Sequence, residues 1–326
     1  MATLLEGFTE IVSSSAAREI GKAVDLKPDL VTKGMGVVGP LISAAFANKA
    51  TTSGGLADLM QLLPKDGVGS ILGNLSHLAR GSTSGDTMTS VFGNGAGAIT
   101  ATLDRALGFK ASSLIGVATP LVLGLISKFA GDRKLGANGI ASLLTAEATE
   151  FQKTGGESAR LVREALDAGR QATDLKAKYS PVQWDSVRLA PVAAASVVMM
   201  ADKSGPIGAM KEISAATGAI DDAKKGAAPT SLLSLAFESD LSADELSKFV
   251  KGRTPADALA TVREAIDVVE RNSPSDASNF RKFVADVATR VAGASKEGGF
   301  LGIGGTAVSP AEQAALEQVR SAIGDR

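Results

Sequence analysis

Two stretches of this chain, KGMGVVGPLI (33–42) and SLIGVATPLV (113–122), line up with each other. Gly36, Val37, Pro40 and Leu41 stand against Gly116, Val117, Pro120 and Leu121. Each copy supplies one nearly uncharged helix, and a helix that is apolar all round has no face to show to water. After each comes a short polar stretch and then a second match, GGLADLM (54–60) against NGIASLL (138–144). Two copies of one helical unit, each unable to cover its own apolar face, close on each other. The expectation is an internally duplicated first unit with two central helices buried side by side. Pro40 and Pro120 either start those helices or kink them, and the sequence leaves both open.

Helical periodicity continues elsewhere. Leu4, Leu5, Phe8, Ile11 and Val12 draw one stripe, and Ala258, Val262, Ile266 and Val269 draw another. Thr254 and Pro255 read as an N-cap and first helical residue, as do Ser180 and Pro181. Ser309, Pro310 and Glu312 read as a capping box ahead of a last helix carrying Leu316, Val319 and Ile323. No segment alternates with period two, and aromatics make up only 4% of the chain. The fold class expected is all-α and multihelical, in two helical domains.

The polar FQKTGGESAR (151–160) suggests the boundary, giving domains 1–150 and 151–326. The second domain carries a weaker echo, VREALD (162–167) against VREAID (262–267), which suggests two related halves, 157–222 and 230–326. The first half resembles the YidB-like family of bacterial proteins, catalogued as domain of unknown function 937. The paired GVVGPLI and GVATPLV, GGLADLM with LLPKDGVGSILGNL, and LDRALGF (103–109) carry that resemblance over roughly residues 1–150. It implies a compact multihelical domain with two buried central helices and brings no catalytic residues. The second half looks loosely like the helical tellurite-resistance TerB-like group, through its small-residue helices and EGGFLG. Together the resemblances suggest a stress- or envelope-related setting.

Composition excludes several chemistries. The chain has no cysteine and one histidine, His77, so a Cys/His zinc site and a thiolate nucleophile are ruled out within it. The formal charge is −1 and evenly spread, without the basic excess of a nucleic-acid binder. The start of the chain, with Glu6 and Glu10, lacks the basic opening of a signal peptide. The most apolar runs, 114–126 and 189–201, are short of the roughly 20 residues that a bilayer needs. They read as buried core helices, and a cytoplasmic protein is expected.

The glycine-rich KEGGFLGIGG (296–305) has no G-x-G-x-x-G between strand and helix. It reads as a helix end and a corner, with Phe300 and Leu301 tucked inward; the competing reading is a ligand loop at 298–305. The stretch 81–97 reads as a flexible connection. His77 reads as a structural histidine. Glu147 with Glu150, and Glu164 with Asp167, have the spacing of oxygen ligands for a divalent cation, but the same spacing describes a solvated face. Residues 16–35 loosely resemble a helix-turn-helix, with Lys27, Asp29 and Lys33 on the second helix and no Arg for base edges. Trp184, Phe300 and Leu301 are the candidate contact residues. No cofactor, metal or catalytic residue is expected. The reading is a non-catalytic helical protein acting through a protein partner or homo-oligomer. A DNA-associated factor and a metal- or small-molecule-binding protein are the alternatives.

Overall fold

The computed structural model describes residues 3–12, 14–64, 85–201, 205–238, 249, 251–294 and 308–324. Among these residues the regular structure is entirely helical, with no strand, so the all-α expectation holds. The chain divides into two compact units, Met1–Thr173 and Asp174–Arg326.

In the first unit, α1 (Leu4–Ile11) opens on a capping box. Thr3 Oγ1 accepts the Glu6 N–H at 3.0 Å, and Glu6 Oε2 accepts the Thr3 N–H at 2.7 Å. Two of the helix's orphan donors are thereby satisfied. Helix α2 (Ser14–Val24) leads through Asp25 into α3 (Pro28–Ala50). Pro28 sits in the first turn, where its missing N–H is not needed. Pro40 lies in the helix interior, which settles where it belongs: it does not start the helix. From Val37 to Ala47 every residue is buried. Helix α4 (Gly55–Leu62) packs back on α3.

Next come α5 (Gly85–Phe92), a single 3-10 turn at Gly93–Gly95, and α6 (Ala96–Leu107). The flexible connection expected at 81–97 is therefore corrected: from 85 onward it is helical. The 3-10 turn that follows makes a close backbone contact. A Cβ on Gly95 would lie 2.7 Å from the Gly169 Cα, so only glycine admits the approach. The LDRALGF phrase has a similar geometric content. Gly108, at φ +78°, ends α6 in the left-handed region open to glycine. The Asp104 carboxylate then accepts the Ala111 N–H at the mouth of α7 (Ser112–Asp132). Burial raises the Asp104 pKa above the ordinary carboxylate range, a shift the Ala111 bond and Lys110 oppose. Phe109 lies over Gly34, where a Cβ would meet its ring at 2.9 Å.

Helix α7 is buried from Leu114 to Thr119 and from Leu121 to Ile126. It packs along α3, and both belong to one apolar core with Leu4, Phe8 and Ile20. The two central helices are thus adjacent and buried. Pro120, like Pro40, is internal to its helix. Both helices are long and apolar enough to cross a bilayer, more than the short runs alone suggest; 78% and 67% of their apolar windows are buried in the fold. Helix α8 (Ala137–Thr154) packs against α3 and α4. A break at Gly156, φ +53°, separates it from α9 (Gly156–Lys176). Leu161, Val162 and Ala165 of α9 and Phe151 of α8 join the first core. The polar stretch 151–160 is therefore a bend inside the first unit, and the division between units falls later, within α9.

The second unit is built on α10 (Pro181–Ala201), whose Val187, Ala190, Ala193, Ala194, Val197 and Val198 are buried. It packs along α13 (Pro255–Asn272), α14 (Pro274–Ala292) and α15 (Pro310–Ile323). Alanines on α10 let the neighbouring helices approach closely. Helices α11 (Gly205–Gly226) and α12 (Leu232–Ala236) cover α14. The caps expected at Thr254 and Ser309 are both present as reciprocal boxes, with Asp257 and Glu312. VREALD lies on α9, largely in the first unit, and VREAID on α13 in the second.

Glycines separate sharply by surroundings, which makes a paired test. Gly36 is exposed on α3 and a Cβ there would meet nothing within 4 Å. Gly36→Ala should raise stability by about 0.5–1 kcal/mol through lower backbone entropy in the unfolded chain. Gly95→Ala should lower it by about 2–3 kcal/mol, because the clash is with backbone that cannot rotate away. Urea unfolding followed by circular dichroism reads both; equal effects would contradict the packing described.

Candidate interaction surface

The first candidate contact residue, Trp184, sits one turn into α10. The helix start is held by a reciprocal cap: Ser180 Oγ accepts the Gln183 N–H at 3.3 Å, and Gln183 Oε1 accepts the Ser180 N–H at 2.9 Å. That fixes the indole edge-on to Tyr179, 5.3 Å between ring centroids at 70°, with Lys176 Nζ 6.0 Å from its ring. Tyr179 is buried and donates its hydroxyl hydrogen to Ser273 Oγ at 2.8 Å. Burial raises the Tyr179 pKa. Trp184 is accordingly half-buried against the second core. Its neighbour Val182 is 70% exposed. Phe300 and Leu301, with the glycine-rich loop 298–305, lie outside the described residues, as does His77.

Three of the four carboxylates in the two candidate pairs have other partners. Glu147 Oε1 accepts the Leu4 N–H at 3.0 Å and so anchors the start of α1. Glu164 and Glu157 both pair with Arg160, and Asp167 pairs with Arg170. Arg160 holds the Glu157 carboxyl below the usual range. Among the described residues no three His, Cys, Asp or Glu side chains gather where they could hold a metal ion. The stretch 16–35 joins α2 to the start of α3. Its second helix is α3, whose Val31, Gly34, Met35, Val37 and Val38 are buried in the first core. In its first three turns it exposes Pro28, Asp29, Thr32, Lys33 and Gly36, none of them the Arg, Asn or Gln that reads base edges.

What the structure adds is the outer face of α11. Its inward stripe is Ala216, Ala219, Ile220 and Ala223, packed on the second core. Two large apolar residues are left outside: Met210, 74% exposed, and Ile213, 50% exposed. Lys211, Ser214, Ala215 and Gly218, with Arg290 and Ala294 of α14, bound a shallow hollow of about 710 Å³. A Cβ on Gly218 would meet nothing within 4 Å, so the floor is open there. A second hollow of about 680 Å³ lies between α11, α12 and α14, over Leu233 and Phe283. Asp222 pairs with Arg290 at 2.8 Å on its rim, and that pairing lowers the Asp222 pKa. Charges of both signs line it, in open solvent, without a nucleophile held by a base.

Sequence reasoning passed over Met210 and Ile213, although a signal was present. In MKEISAATGAIDDA the small residues repeat at helical spacing, and they make the better inward face against closely packed neighbours. The larger residues are then displaced outward.

The Tyr179–Ser273 bond ties the turn before α10 to the start of α14, and Ser273 is only 2% exposed. Tyr179→Phe should destabilise the second unit by about 1–2 kcal/mol, since it strands a buried hydroxyl. The fluorescence of the single tryptophan, Trp184, should report the earlier unfolding midpoint; an unchanged midpoint would show that Ser273 finds another partner.

No curated protein and no solved structure matches the chain. The family comparison does give a match, and it runs from within α1 across α3 and most of α7. Residues 7–128 match the model described as bacterial protein of unknown function (DUF937), so it is to that family that this N-terminal helical segment is similar.

Proposed function

We propose that this is a non-catalytic helical protein that works by binding protein through the outer face of α11, with the family-matched first unit as its structural companion. The observation that supports the reading is the pair Met210 and Ile213, one helical turn apart on the same helix and exposed to 74% and 50%. Exposed apolar side chains beside a hollow, rimmed by charge, are the usual anatomy of a contact site. Of the candidate carboxylates, Glu147 holds the start of α1, and Glu164 and Asp167 are in ion pairs.

A photo-crosslinking amino acid placed at position 213 in bacterial cells tests this directly. The same amino acid at the exposed position 150 of α8 serves as the control. Protein adducts should form from 213 on irradiation and not from 150. Absence of adducts at 213 above the control would contradict the proposal.

A further inference from the structure

The α11 face carries both halves of a self-complementary contact. Its knobs are Met210 and Ile213. Its hole is the open surface above Gly218, next to Ser214 and Thr217. Helical geometry places Met210, Ser214, Thr217 and Asp221 along one line, with Ile213 on one flank and Lys211 and Gly218 on the other.

We infer that the partner of this face is a second copy of the same chain, paired antiparallel about a two-fold axis at Ser214. The inference rests on the reading of the α11 face as a binding surface. A two-fold contact uses one patch on both copies, so each residue must find its mate within the patch. Antiparallel pairing about Ser214 meets that condition. Ile213 faces Ile213 of the second copy on one flank, and Met210 sits over the second copy's Gly218, where there is room for it. Charge agrees with the same register. Lys211 stands opposite Thr217 of the second copy, one turn from Asp221. Long side chains on a helix lean toward its N-terminus, so Lys211 and the second copy's Asp221 lean toward each other. Parallel pairing would set the Lys211 flank of one copy against the apolar Ile213 flank of the other and leave both Gly218 hollows unfilled.

The chain has no cysteine, so one introduced thiol reports the register without background. In the purified full chain, Ser214→Cys should form a disulfide-linked dimer under mild oxidation, because the two-fold axis brings the positions together. Ser142→Cys, on the exposed face of α8, should remain largely monomeric. Sedimentation equilibrium should give a concentration-dependent mass, and Met210→Glu should weaken the dimer tenfold or more by placing a charge over the hollow. Two results would overturn the inference: a mass that stays monomeric at high micromolar concentration, or Ser214→Cys dimerising no more than Ser142→Cys. If crosslinks from position 213 then reach a different protein, the binding face stands and the second copy does not. If position 213 gives no adduct at all, both readings go.

Discussion

The apposition of α3 and α7 is the contact on which the first unit depends. Each helix carries some dozen consecutive buried positions, broken only at Pro120, and neither has a polar face that could meet water alone. At roughly 25 cal/mol per Å² of apolar surface, exposing either would cost more than a domain's whole stability margin. The other helices of the unit are arranged by that requirement. Helices α1, α2 and α8 each present an apolar stripe to the pair, and Phe8 nests over Gly39, where a Cβ would fall within 2.7 Å of its ring. Glycines on α3 are thus receptors for aromatic rings arriving from α1 and from the turn before α7.

The second unit solves the same problem with smaller side chains. Helix α10 is buried through alanine and valine, which leaves little depth for each contact but allows three helices to pack on it. The same economy on α11 has a consequence outside the core. When alanines occupy the inward stripe, Met210 and Ile213 have no place there and face solvent. The binding surface proposed for this protein follows from that choice of core residues.

The buried central helices were legible in the sequence because hydrophobicity without charge over several turns has few structural solutions. The caps at Thr254 and Ser309 were legible because capping is local chemistry: the hydroxyl, the proline and the acidic residue lie within four positions of one another. The internal placement of Pro40 and Pro120 was not, since it depends on neighbours that hold a kinked helix together. The glycines at 93–97 were misread as a loose connection because their partner, Gly169, lies far along the chain. The bend at Gly155-Gly156 shows a related limit: a polar surface bend and a linker share one composition, and only Leu161, Val162 and Ala165 beyond it show which core the chain serves next. Trp184 drew attention as a rare residue, but its Tyr179 contact and half-burial tie it largely to the core, while the exposed pair on α11 sat in an unremarked run of small residues.

Hydrogen exchange followed by mass spectrometry on the intact chain bears most directly on the central pair. Backbone amides open to exchange in proportion to how much structure must unfold to release them. The account predicts that amides of α3 between Val31 and Ala47, and of α7 between Leu114 and Ile126, exchange among the slowest in the first unit and in step with each other. Exchange from either segment as fast as from the surface helix α4, or from one long before the other, would contradict it.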